Sequence, residues 1–255
     1  MHIKKLIEIA EKLRSPEGCP WDREQTMESL KPFLVEEMYE LIDAMSANDS
    51  EGIKEELGDL LFQIVLHCQL SKEQGLFDMD DVAKGIAHKM VSRHPHVFGD
   101  KELKTSEDVR KWWNEHKKSE GKIPKSALER VPKTLPALSM AKMLQEKASG
   151  VGFDWENIDD VLKKLDEEVE EFKGAFDSKS HGEMESELGD MLFVLVRIAN
   201  FVNVDPEIAL RKTIKKFVSR FNHMEAAASK QGQSLPEMTL KEMEVLWNLA
   251  KKKYK

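Results

Sequence analysis

Carboxylates at a fixed spacing recur in this chain. Glu36-Glu37-Met38-Tyr39-Glu40 is followed by Glu56-Leu57-Gly58-Asp59, and Glu167-Glu168-Val169-Glu170-Glu171 by Glu187-Leu188-Gly189-Asp190. Glu168, Glu171, Glu187 and Asp190 follow Glu37, Glu40, Glu56 and Asp59, each by 131 positions, and Leu192-Phe193 follows Leu61-Phe62 by the same step. A period this long marks a duplicated domain, not a solenoid of short repeats. Residues three apart share one helix face, so Glu37 points with Glu40 and Glu56 with Asp59. A break at Ala47 to Gly52 lets the two runs fold back antiparallel, which brings four carboxylates together. In a crevice of low dielectric such a group repels itself strongly, so a cation must neutralise it or water must reach it.

A single such acidic run reads as a solvated face. Its repetition argues for a site, and so does the glycine repeated at Gly58 and Gly189. A glycine inside a helix costs roughly 1 kcal/mol relative to alanine, so its recurrence predicts a close approach to the backbone there. Oxygen donors without histidine or cysteine suit a hard cation, Mg²⁺ or Mn²⁺. Di-iron bundles use Glu-x-x-His pairs, and none of the eight histidines has Glu three residues before it. The chain also lacks the phosphate-binding glycine loop and the GxSxG nucleophile elbow. Any phosphate chemistry must therefore run through the metal.

Each acidic set is followed by cations at helical spacing. Lys89 and Arg93 are four apart, as are Lys216 and Arg220, within the matching strings Val91-Ser92-Arg93 and Val218-Ser219-Arg220. An aromatic near a lysine closes each half: Trp113-Asn114 with Lys117, and Trp247-Asn248 with Lys251. Such cations hold phosphate oxygens and such rings stack on a base, although surface lysines and a packing tryptophan have the same composition. Their order, the same in both halves, favours the site.

The elements that must carry these residues are helices. Apolar spacing and caps predict helices over 3–14, 27–46 (with Thr26 as N-cap), 51–73, 79–94 (capped by Asp78 with Asp81), 107–119 (capped by Ser106), 137–148, 158–177 (capped by Asn157), 182–202, 206–229, and a last one opened by Thr239 with Glu242. Pro95 should end the fourth. No run alternates like a strand, so the chain reads as all-α. Pro124, Pro132 and Pro136 with Gly121 mark 120–136 as a linker between a domain at 1–119 and one at 137–255.

The 39 Lys+Arg against 47 Asp+Glu leave a net charge of −8. This argues against a nucleic-acid or anionic-membrane binder. Two cysteines, Cys19 and Cys68, form no metal or redox motif. No apolar run is long enough to span a bilayer. The reading is a soluble, cytoplasmic protein.

With the doubled acidic set and the loop Cys19-Pro20-Trp21-Asp22 with Gln25-Thr26, nearly the whole chain resembles the MazG family of nucleoside triphosphate pyrophosphohydrolases. The resemblance implies tandem helical domains of four-helix-bundle type, completed by homodimerisation. It implies Mg²⁺-dependent cleavage of NTPs and dNTPs between the α- and β-phosphates, giving a monophosphate and pyrophosphate. Glu168, Glu171, Glu187 and Asp190 would hold metal in the carboxyl half, and Glu37, Glu40, Glu56 and Asp59 in the amino half. Lys216 and Arg220, with Trp247 and Lys251, would bind the nucleotide, and Lys89 and Arg93 would stand in the matching place. Glu36 and Glu167, beside the ligands, would take a proton from water or hold a second metal. The amino half departs from the carboxyl half at His94-Pro95, where the latter has Phe221-Asn222. Two other functions fit the same residues: a hydrolase selective for modified or deoxy nucleotides, and a helical module that binds a nucleotide without cleaving it.

Overall fold

In a computed structural model of the chain, residues 2–119, 126–129 and 131–254 are described, except for the side chains of 110 and 114–119. The expected linker falls partly, at 120–125 and 130, outside the described residues, as does the side chain of Lys117. The chain divides into two compact units, Met1–Ile123 and Pro124–Lys255. No strand occurs among the described residues, and the fold is all-α.

The amino-terminal unit contains α1 (His2–Arg14), α2 (Pro20–Glu24), α3 (Lys31–Ala47), α4 (Ser50–Glu73), α5 (Met79–Arg93), α6 (Pro95–Phe98) and α7 (Ser106–Ser119). The principal pair is α3 against α4, and α1 also packs on α4. Leu30, Leu66 and Leu70 form its buried centre, with Met27, Phe33 and Phe62 packed around them. Arg14 ties three segments together. Its guanidinium makes a two-pronged bond to Glu73 (2.8 and 2.7 Å) and also donates to the carbonyls of Asp22 and Gln25. The short helix α2, which carries Trp21, is thereby fixed to the end of α4.

The carboxyl-terminal unit contains α8 (Ala137–Ser149), α9 (Ile158–Ser178), α10 (His181–Phe201), α11 (Pro206–Lys230), a 3₁₀ turn at Leu235–Glu237, and α12 (Leu240–Lys253). Here α9 pairs with α10 as α3 does with α4. Met224, Ala228, Met238 and Leu246 join α11 to the turn and α12.

Both hairpins turn in the same way. Asn48 and Lys179, 131 positions apart, sit in the left-handed region (φ 54° and 58°). The following amides, of Asp49 and Ser180, each donate 3.1 Å back to an earlier carbonyl, Ala44 and Ala175. This is the usual helix stop with a left-handed residue, and asparagine suits it better than lysine does. Asp49 then caps α4 by accepting from the Gly52 amide at 3.1 Å. A Cβ on Gly52 would lie 2.8 Å from the Asp49 carboxylate, so a larger residue there would push the capping side chain aside.

Several boundaries differ from expectation. Thr26 does not cap the third helix. Its hydroxyl accepts from the Ser29 amide, closing a separate turn, and α3 starts only at Lys31 with Pro32 in its first turn. Proline fits there because that position needs no amide donor. Thr105, not Ser106, caps α7, with Asp108 answering it. Pro95 does end α5, but it also starts the one-turn α6. The caps at Asp78, Asn157 and Thr239 stand where expected, and Asp205 caps α11 by accepting from the Ile208 amide.

Candidate metal and nucleotide site

Each helix hairpin gathers carboxylates at one place. In the amino-terminal unit, Glu37 on α3 meets Glu56 and Asp59 on α4. In the carboxyl-terminal unit, Glu168 and Glu171 on α9 meet Glu187 on α10. In each trio one oxygen per residue lies within 4.8 Å of the others. Glu40 and Asp190 stand outside these trios, but the Glu40 charge still acts on both Glu37 and Glu56.

The electrostatics follow from crowding. Partial burial raises the pKa of the Glu37 carboxyl, and Asp59, Glu40 and Glu36 add to the rise, while the Gln63 amide works against it. Glu56 is raised by desolvation and then by Glu40, Asp59 and Glu37. Glu171 is raised by desolvation and then by Glu168, with Glu187 adding and Lys164 opposing. These groups hold a proton more tightly than an ordinary glutamate because their neighbours are anionic. A divalent cation removes that penalty, and an all-oxygen donor set fits a hard one.

The two hairpins differ in what balances the first acid. Glu168 is 5 % exposed, and Lys164, one turn earlier on α9, reaches both Glu168 (2.8 Å) and Glu167 (2.7 Å). These bonds raise the lysine's pKa. The position 131 residues earlier holds Phe33, part of the apolar centre. There the partner of Glu37 is Gln63, where the other half has the buried Val194.

Nothing meets the two repeated glycines: a Cβ added at Gly58 or Gly189 has no atom within 4 Å. The close approach expected there is not made by any described residue of the chain.

Of the expected nucleotide-binding residues, Arg220 and Trp247 lie together, the guanidinium 5.8 Å from the indole. Phe217 packs on the same indole at 5.4 Å. The Arg220 guanidinium also donates twice, at 2.9 and 2.8 Å, to the Tyr254 carbonyl, a contact that residue spacing does not reveal. Lys216 and Lys251 are exposed, and neither forms an ion pair among the described residues. In the amino-terminal unit, Trp113 donates to the Arg93 carbonyl at 2.8 Å and its ring meets His94 edge-on. Lys89 is exposed. α5 stops at Arg93, whereas α11 runs on to Lys230, so the basic face of the first unit is the shorter one.

Lys164, Gln63 and Tyr254 were not singled out by their sequence context. For Lys164 a signal existed, because a lysine four residues before a glutamate shares its helix face. Comparison of the two halves hid it, since Phe33 breaks the match.

A family model described as MazG nucleotide pyrophosphohydrolase domain matches this chain twice, over residues 25–98 and 156–225. A Thermotoga maritima protein named nucleoside triphosphate pyrophosphohydrolase/pyrophosphatase MazG is 46% identical over 98% of this chain and 95% of its own length. The Escherichia coli (strain K12) nucleoside triphosphate pyrophosphohydrolase is 38% identical over 98% of this chain and 97% of its own. Among solved structures, a MazG-related protein from Thermotoga maritima aligns over 45% of this chain and 98% of its own, at 30% identity and a TM-score of 0.40.

Proposed function

The chain belongs to the MazG nucleotide pyrophosphohydrolase family, whose domain it carries twice, and from that premise we propose that it hydrolyses nucleoside triphosphates between the α- and β-phosphates. The products are a nucleoside monophosphate and pyrophosphate. The observation that carries the reading is the pair of carboxylate trios, Glu37/Glu56/Asp59 and Glu168/Glu171/Glu187. Their crowding and oxygen-only chemistry fit Mg²⁺, or Mn²⁺ in its place. Glu40 and Asp190 complete the two donor sets.

Bound there, the cation would neutralise the phosphate oxygens and polarise the bond to be broken. The chain's own groups do the rest. Lys216 and Arg220 take the charge of the leaving pyrophosphate. The Tyr254 carbonyl and the Trp247 ring hold the Arg220 guanidinium in one orientation, so less freedom is lost when phosphate arrives. Glu167 in the carboxyl half and Glu36 in the amino half are exposed beside a ligand, and each accepts the proton of the attacking water. Lys164 bridges Glu167 and Glu168 and offsets the repulsion between them. Lys251 sits near the nucleotide, and Lys89 and Arg93 are the matching cations of the first unit.

The reading includes a homodimer. Leu188, Leu192 and Leu195 on α10, and Ile214 and Phe217 on α11, are roughly half exposed. Apolar surface of this extent marks an association face, and the open space at Gly58 and Gly189 leaves room for a partner's helices. The activity is soluble and cytoplasmic, without nucleic-acid or membrane partners; no described helix is long and apolar enough to cross a membrane.

The test is product analysis. Phosphorus NMR after incubation with ATP and Mg²⁺ should show AMP and pyrophosphate. ADP with inorganic phosphate would refute cleavage at the α–β bond, and intact ATP would favour a nucleotide-binding module. A panel of standard, deoxy and oxidised triphosphates separates a general from a selective enzyme.

A further inference from the structure

The two acidic hairpins do not offer a cation the same surroundings. Their candidate ligands, with the glutamate beside each set, correspond one to one and so bring the same formal charge. In the carboxyl-terminal unit an ammonium already stands among them. Lys164 lies 2.8 Å from Glu168, which is 5 % exposed, and 2.7 Å from Glu167. In the amino-terminal unit the corresponding residue is Phe33, packed on the apolar centre. There, none of Glu36, Glu37, Glu40, Glu56 and Asp59 forms an ion pair among the described residues.

Gln63 is the second difference. It is 9 % exposed and follows Asp59 by one turn of α4. Its amide N–H faces the Glu37 carboxylate, and its Oε1 is buried with no hydrogen-bond partner among the described residues. A buried carbonyl oxygen left unpaired costs stability. A half-turn of the amide exchanges its two ends, which are nearly alike in size, and brings the oxygen to the acids. Beside bare carboxylates that orientation is repulsive, whereas beside a hard cation it adds a donor. The other hairpin has Val194 at this position, with no oxygen to offer.

Both differences act in one direction. A divalent cation entering at Glu168 meets a like charge at hydrogen-bond distance from its ligand, and must displace it or share the carboxylate with it. One entering at Glu37 meets no ion-paired lysine or arginine and gains an oxygen. We propose that the two metal sites are graded: the amino-terminal hairpin takes up a free divalent cation first, with Gln63 as an added oxygen ligand, and Lys164 holds the carboxyl-terminal hairpin back as an internal counter-ion. The amino-terminal ion is then resident at cation levels that leave the carboxyl-terminal acids with their lysine.

The inference rests on the metal reading of the acids, and the experiment separates the two. Mn²⁺ binding to the full chain, free of nucleotide, is followed by electron paramagnetic resonance, which measures the unbound ion. Glu168→Gln/Glu171→Gln leaves only the amino-terminal site, and Glu37→Gln/Glu56→Gln only the carboxyl-terminal one. The first chain should bind Mn²⁺ about tenfold more tightly than the second, or better. In the second chain, Lys164→Met should tighten binding about tenfold, while Lys164→Arg, which keeps the charge, should leave it within about twofold. In the first, Gln63→Met, which keeps the bulk without the oxygen, should weaken it roughly tenfold. The comparison of the two single-site chains stands even where a Lys164 or Gln63 variant fails to fold. Equal affinities, or the reverse order, would overturn the grading and leave the metal reading intact. A carboxyl-terminal affinity unmoved by Lys164→Met would remove the counter-ion, and an amino-terminal one unmoved by Gln63→Met would remove the added ligand. No Mn²⁺ uptake by wild type would refute the metal reading itself, and the grading with it.

Discussion

The ammonium of Lys164 lies 2.8 Å from the carboxylate of Glu168. It bridges to Glu167 as well, on the helix that supplies two of the three clustered acids. Removing it leaves an almost buried carboxylate among like charges. We expect Lys164→Met to lose on the order of 1–2 kcal/mol in metal-free buffer, as for a charged hydrogen bond broken on one side. Saturating Mg²⁺ should recover most of that loss. Thermal melts with EDTA and with Mg²⁺ read both numbers, and an equal loss in the two buffers would contradict the role.

The raised carboxyls set a direction for pH. Glu37, Glu56 and Glu171 bind protons more tightly in the fold than in the unfolded chain. Their contribution to stability is therefore full below the unfolded pKa and is lost as pH rises through the folded value. Acids pulled down by partners, such as Glu73 beside Arg14 and Asp205 beside Lys142, act oppositely and lose their contribution only in stronger acid. Without metal, wild type should lose more Tm between pH 5 and pH 8 than Glu37→Gln/Glu56→Gln/Glu171→Gln. Mg²⁺ should raise the wild-type Tm more at pH 8 than at pH 5, and should do little for the variant.

Arg14 is a structural centre remote from the acids. Its side chain is 7% exposed and joins Glu73 to the carbonyls of Asp22 and Gln25 at the end of α2. Arg14→Ala removes the donor that joins them, while Glu73, 36% exposed, keeps its bond from Gln69, so the cost is about 1–2 kcal/mol. Denaturant melts should show the loss in the midpoint at constant slope.

The contact between Arg220 and Tyr254 uses a backbone carbonyl. Tyr254→Ala keeps that acceptor and should leave KM for NTP within about twofold. Deleting residues 254–255 removes it and should raise KM roughly fivefold, the effect of about 1 kcal/mol of lost positioning. Steady-state kinetics on the two variants separate an orienting carbonyl from a packing side chain.

The local part of this structure was legible in the residues. Asp78 with Asp81, Asn157, Asp205 with Pro206, and Thr239 with Glu242 each announce a helix start through bonds within four residues. The acidic trios were legible because repetition isolates them from ordinary surface charge. Short helices were not. Pro20–Glu24 and Pro95–Phe98 are too brief for an apolar period, and their prolines read as breaks although they open a turn. Nor was anything that depends on tertiary contact: Arg14 with Glu73, 59 residues apart, Arg197 with Asp154, 43 apart, and the carbonyl that holds Arg220. Those pairings arise only when the hairpins pack.

The most direct test of the account is a calorimetric titration of the purified, metal-free protein with Mn²⁺. Wild type, Glu37→Gln, Glu168→Gln and the double variant are compared. The account predicts uptake by wild type, about half of it in each single variant, and none of comparable affinity in the double. Equal uptake by all four proteins, or none by wild type with a non-hydrolysable triphosphate present, would contradict it.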